Sequence, residues 1–261
     1  MTLIRTPAVA GQFYSGNAGE LSVTVATLLD EAQDIETPAP KALIVPHAGY
    51  IYSGPVAASA YARLRPYRER YQRVILLGPC HRTPVRGIAL CSADAYRMPM
   101  GDVPLDKSAI DHLTIPGVEL FDESHRYEHS LEVHLPFLQA VLGEFEVVPI
   151  VVGDAAPELI SEVLNELWGG PETLIVVSSD LSHYLPYEDA RAVDTVTCRA
   201  IEALDAAWIT HDMACGATPI RGLLIAAKRH GLEVTTLDLR NSGDTAGDRD
   251  NVVGYGAWMF V

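Results

Sequence analysis

His47 and His81 each stand just past an apolar run closed by proline or glycine, a position from which an imidazole can bind a metal ion. His47 follows Ala42 to Val45 through Pro46, and His81 follows Val74 to Leu77 through Gly78, Pro79 and Cys80. A third run, Leu174 to Val177, leads into Ser178-Ser-Asp-Leu-Ser-His183 and adds a carboxylate, Asp180, and a further imidazole, His183. Neutral imidazoles suit zinc, copper and iron. A histidine near its ordinary pKa of about 6.5 also suits moving a proton. Taken singly, each histidine is equally well read as a cap that hydrogen-bonds a loop.

A fourth cluster is Glu128-His-Ser-Leu-Glu-Val-His134, with His125 just before it. On one continuous helix His129 and Glu132 would share a face, while His134 would point about 140° away from His129. The segment is therefore not an H-E-x-x-H zinc helix, and Pro136 argues against an unbroken helix. Glu128, His129, Glu132 and His134 are read as ligands or, equally, as a hydrogen-bonded wall that orients them.

Cys215 lies in Asp212-Met-Ala-Cys-Gly-Ala-Thr-Pro219, just before an expected helix. A thiol at a helix start can have a lowered pKa, which makes it the candidate reactive cysteine of four; a small buried hydrophobe in a tight turn is the alternative. Ser182 and His183 are sequence neighbours and cannot face each other as nucleophile and base. There is no G-x-S-x-G elbow, Walker loop or G-x-G-x-x-G motif. The acidic loop Gly243 to Asp250 lacks calcium-loop spacing and is read as a polar turn, with lining of the site as the alternative.

Runs this short, rich in Val, Ile and Leu, read as strands buried on both faces of a parallel sheet, whose carboxyl ends border the ligand crevice. The expected strands are Leu43 to Val45, Val74 to Leu77, Ile88 to Cys91, Val147 to Val152, Leu174 to Val177, Val234 to Leu239 and Val252 to Met259, the last two antiparallel. Helices are expected at Pro55 to Leu64, near Leu135 to Leu142, and at Pro157 to Leu167, Tyr187 to Leu204 and Thr218 to His230. The alternation predicts an α/β single domain over residues 1–261, with a largely parallel central sheet and helices on both faces.

A formal charge of -15 without a basic run excludes nucleic acid and anionic membrane as main partners. No apolar stretch reaches the roughly 18 residues of a spanning helix, and the N-terminus lacks a signal-peptide pattern. A cytoplasmic location is expected. The four cysteines form no C-x-x-C pair and read as thiols.

Seven motifs, in order, resemble the Memo family, whose bacterial and archaeal members are called AmmeMemoRadiSam system protein B. They are Pro7-Ala-Val-Ala-Gly-Gln-Phe-Tyr14, Pro46-His-Ala-Gly-Tyr-Ile-Tyr-Ser-Gly54, Gly78-Pro-Cys-His81, Glu128 to Pro136, Ser178-Ser-Asp180 with His183, Cys215-Gly216 and Gly243-Asp244. The resemblance implies a fold like that of the class III extradiol non-haem iron dioxygenases. It implies metal ligation by His47, His81 and Cys215, with His183 as acid/base and Asp180 beside it. His129, His134, Glu128, Glu132 and Asp244 would surround them. A thiolate in place of the dioxygenase carboxylate shifts preference toward copper(I), zinc or a differently tuned iron, so ring-cleaving activity does not transfer with the fold.

Two functions are expected. The first is a metal-binding oxidoreductase with mononuclear iron or copper, zinc being the third choice, and an unknown small-molecule or peptide substrate. The second is a binding or scaffold protein that keeps the cleft, with Tyr50, Tyr52 and Tyr184 in its walls. The family's association with a radical SAM protein suggests a functional link to such a partner.

Overall fold

The computed structural model describes residues 2–33 and 36–261. In chain order the strands are β1 (Ile4–Arg5), β2 (Ala42–Val45), β3 (Arg73–Pro79), β4 (Ile88–Leu90), β5 (Ala95–Met98), β6 (Gly101–Pro104), β7 (Val118–Leu120), β8 (Glu146–Val152), β9 (Thr173–Ser178), β10 (His183–Leu185), β11 (Val234–Asn241) and β12 (Val252–Phe260). The helices are α1 (Ala18–Glu31), α2 (Tyr50–Tyr61), α3 (Lys107–His112), α4 (Asp122–Arg126), α5 (Leu135–Val141), α6 (Pro157–Glu166), α7 (Tyr187–Glu202) and α8 (Ala217–His230).

The main sheet runs β10-β12-β2-β9-β3-β8-β4-β7, with β11 also paired to β12. Its centre, β2-β9-β3-β8, is parallel. Antiparallel strands flank it, β12 against β2 on one side and β4 against β8 on the other. The sheet is thus mixed, with the expected parallel order at its centre and again between β4 and β7 at one edge. The final two strands pair antiparallel, Val234 opposite Phe260. Every residue of β2 and β9 is buried, because helices cover both faces: α1, α2 and α5 pack together, and α6 packs on α8. A small sheet, β1-β5-β6, and the helix α1 add to the expected elements. In α1 the buried Leu21, Val25 and Leu29 repeat every fourth residue, and the Asn17 side chain caps the start by accepting from the N–H groups of Gly19 and Glu20.

The largest boundary difference from expectation is a helix start. The helix expected to begin at Pro55 begins at Tyr50, where the N–H groups of Tyr52 and Ser53 donate to the Gly49 carbonyl. Pro55 is therefore inside the helix. Its ring removes the one N–H that would bond the Ile51 carbonyl, and Ile51 is exposed.

Candidate metal centre

Because β2, β9 and β3 are adjacent and parallel, their carboxyl ends share one rim, and His47, Asp180 and His81 follow them by two residues each. The irregular stretch between α4 and α5 brings His129 to the same point. The ring centroids lie 5.2 Å apart for His47 and His81, 5.5 Å for His47 and His129, and 4.7 Å for His81 and His129. One nitrogen from each ring lies within 4.8 Å of the others, so His47, His81 and His129 form a group that could hold a metal ion.

A second layer holds these rings. The Nδ1 of His47 is 2.6 Å from Ser178 Oγ, which turns Nε2 toward Cys215 and Asp180. Glu128 accepts from the backbone N–H of His81 at 2.6 Å and lies 2.8 Å from its Nδ1, which leaves Nε2 free. The same carboxylate accepts from the N–H groups of His129 and Ser130, each at 3.0 Å. His129 Nδ1 stands 3.4 Å from Glu128 Oε1 without a hydrogen bond. Gly78 makes this packing possible, since a Cβ there would come within 2.7 Å of Ser130 Oγ.

Burial, reinforced by the surrounding histidines, holds the His47 pKa well below its ordinary value. Burial likewise lowers His129 to about 4. Both are neutral at pH 7, the state a metal requires. Burial alone would raise Glu128, but its hydrogen bonds from His81 and the backbone overcome that and bring it down to about 2. Burial drives Asp180 up to about 7 although it accepts from the His47 N–H. Its Oδ2 is 3.9 Å from His47 Nε2.

The remaining expected site residues fall into different places. Cys215 Sγ lies 3.4 Å from His47 Nε2 but is not one of the three side chains of the tight group. Its thiol is not activated: burial, then the Asp180 carboxylate, push its pKa up to about 12, outweighing the helix start. His183 lines the open side of the cleft, and desolvation there lowers its pKa. His134 is buried and turned away, its Nδ1 2.9 Å from the Tyr61 hydroxyl. Glu132 faces the N-terminal segment, where it pairs with Arg5 and accepts from Tyr14 and from the N–H groups of Ala8 and Val9. That staple carries Phe13 to an edge-on contact with His129 at 5.0 Å. Asp244 caps its own turn and accepts from the Tyr187 hydroxyl, so the loop meets the cleft through Ser242, Gly247, Asp248 and Asn251 instead.

Two cavities meet at the centre. A cleft of 650 Å³ is lined by His47, His81, His129, Asp180 and His183, with Phe13, Tyr52, Tyr184 and Tyr255 as aromatic walls. A second, of 490 Å³, is lined by Cys80, His81, His211, Cys215 and Thr218. His81 borders both, while Cys215 opens only to the second. Tyr50, expected in the wall, is buried, and its hydroxyl donates to the Val133 carbonyl at 2.6 Å.

The donor types, imidazole nitrogen and thiol sulfur, suit a first-row ion. On one tetrahedral ion two imidazole nitrogens lie about 3.3 Å apart and a nitrogen and a sulfur about 3.6 Å, from the usual bond lengths. The observed spacing of 3.4 Å between His47 Nε2 and Cys215 Sγ is close to the second value. The fold and site define an α/β domain with a histidine cluster at the carboxyl rim of its parallel strands.

The chain matches the Memo-like protein family over residues 5–259, and it belongs to that family. It is 38% identical to a MEMO1 family protein of Aquifex aeolicus, with 99% of each chain covered. It is also 38% identical to one of Methanococcoides burtonii, covering 97% of this chain and 98% of that one. A solved structure of an uncharacterized Escherichia coli K12 protein shares the fold at a TM-score of 0.52 and 14% identity, covering 82% of this chain and 98% of the other. Among the described residues no helix is long and apolar enough to cross a membrane.

Proposed function

We propose that the protein binds one iron or copper ion through His47, His81, His129 and Cys215 and acts as an oxidoreductase on a small molecule. The observation that carries this reading is the group of three ring nitrogens within 4.8 Å of one another, two of its rings held by hydrogen bonds on the far nitrogen. Such a layer fixes ring orientation and tautomer in metal sites. His47, His81, His129 and Cys215 would hold the ion with donor types that zinc, copper and iron all accept. When bound, the ion supplies Lewis acidity and one-electron chemistry.

The chain's own groups would do the rest. His183, neutral at pH 7 and on the open side of the cleft, takes a proton from substrate. Asp180, with a pKa of about 7, holds or yields one beside His47. Aromatic walls with Asp180 and Asp248, and no lysine or arginine among the described lining residues, suit a neutral molecule with a flat apolar face better than a phosphate.

The test is titration of apo protein with iron(II), copper and zinc, followed by oxygen consumption with candidate substrates. One ion per chain in the parent and its loss in His81→Ala are expected. A stoichiometric ion without oxygen uptake would favour the binding-protein reading, and no ion would refute the centre.

A further inference from the structure

We propose that Ser178 is a positioning residue that sets the tautomer of His47, and that it belongs to one hydrogen-bonded network with Glu128. Ser178 Oγ lies 2.6 Å from His47 Nδ1 and 2.6 Å from the backbone carbonyl of Ser130. A carbonyl can only accept, and a serine hydroxyl has one proton to give. The Ser178 hydroxyl is therefore the donor in this contact, since two oxygens 2.6 Å apart need a proton between them. All three groups are buried, and the reverse orientation would set the Ser178 and Ser130 oxygens 2.6 Å apart with no proton between them. The Ser178 proton therefore goes to Ser130, Ser178 Oγ accepts, and His47 must carry its proton on Nδ1. Nε2 then presents a lone pair toward Cys215 and Asp180, the side on which an ion would sit.

Ser130 joins this arm to the other. Its N–H donates to Glu128 Oε1 at 3.0 Å, and the same oxygen is 2.8 Å from His81 Nδ1. A neutral hydroxyl thus governs one histidine and a carboxylate the other, through a single residue between them. Nothing in the sequence separates Ser178 from Ser179 in this role: Ser179 Oγ instead receives the Gly216 N–H at 2.9 Å.

The tautomer claim stands on the hydrogen bonds alone, whereas its use for metal binding rests on the proposed function. The experiment reads both separately. Side-chain nitrogen–proton NMR of ¹⁵N-histidine apo protein should show His47 protonated at Nδ1 in the parent and in Ser178→Thr, with the proton moved to Nε2 in Ser178→Ala. Zinc titration of the same samples should show Ser178→Ala binding weaker by about ten- to a hundredfold, with Ser178→Thr near the parent. A purely structural serine would leave the tautomer unmoved. Nε2 protonation in the parent, or no change in Ser178→Ala, overturns the proposal. The expected tautomers with unchanged zinc affinity would uphold Ser178 as the tautomer switch and count against the metal reading.

Discussion

The sulfur of Cys215 stands 3.4 Å from Nε2 of His47 and yet opens to a different cavity from the one His47 lines. A thiol with a pKa of about 12 keeps its proton at neutral pH, so it can ligate only by giving that proton up. Metal affinity should rise with pH by up to about tenfold per unit for this one proton. Cys215→Ser should weaken binding at least about tenfold and release one proton fewer per ion, as read by titration in two buffers. Cys215→Asp should bind again, with preference moved toward iron(II). Equal affinity and equal proton release in Cys215→Ser would leave the ion to the three histidines.

His183 is placed to act on substrate and not on the ion. Substituting His183→Ala should leave metal content within about twofold and remove turnover by at least the 10²-fold typical of a lost acid–base group. Loss of the metal in that variant would make His183 a ligand.

Glu128 holds His81 through both its backbone and its ring. Glu128→Gln should weaken metal binding about ten- to a hundredfold, in the range seen when a carboxylate behind a ligating histidine is removed. Unchanged affinity would show that the carboxylate serves the loop alone.

Acid should unfold the apo protein by charging buried histidines. The folded-state pKa values of His125 and His129 are depressed to about 4 and that of His134 to about 3, chiefly by burial. Depressed histidine values mean that folding disfavours the charged form. Their contribution is complete above the unfolded value of about 6.5 and is lost as pH falls toward 4 and below. Urea unfolding should therefore show stability falling from pH 6.5 to 4; a flat profile there would contradict these values.

The sequence made the strand ends legible because apolar runs closed by Pro46, Gly78 and Ser178 have few other readings. His47, His81, Asp180 and His183 were found at that rim for the same reason. The roles in the 128–134 segment were not legible, because its conformation is set by tertiary contacts: Glu128 is held by β3's end, and Glu132 by Arg5 and Tyr14 far away in sequence. Periodicity could place His129 with Glu132 only on a continuous helix, and the chain breaks that helix at Glu128 to Leu131. The thiol state of Cys215 was not legible, because a helix start is visible in sequence while burial beside Asp180 is not.

Glu132 and Arg5 form a buried pair. Glu132→Gln would leave the Arg5 charge uncompensated and should cost about 3–5 kcal/mol, as for other broken buried pairs. It should also loosen the segment that holds Phe13 against His129, raising its amide exchange. A loss below about 1 kcal/mol would mean that the pair is reached by water.

The central claim is tested most directly by element-resolved anomalous scattering from crystals of protein grown and handled without oxygen. The account predicts one peak at the iron or copper edge, bonded to Nε2 of His47, Nε2 of His81, the ring of His129 and Sγ of Cys215. A metal-loaded crystal with its peak elsewhere, or without contact to His47 and His81, would contradict it.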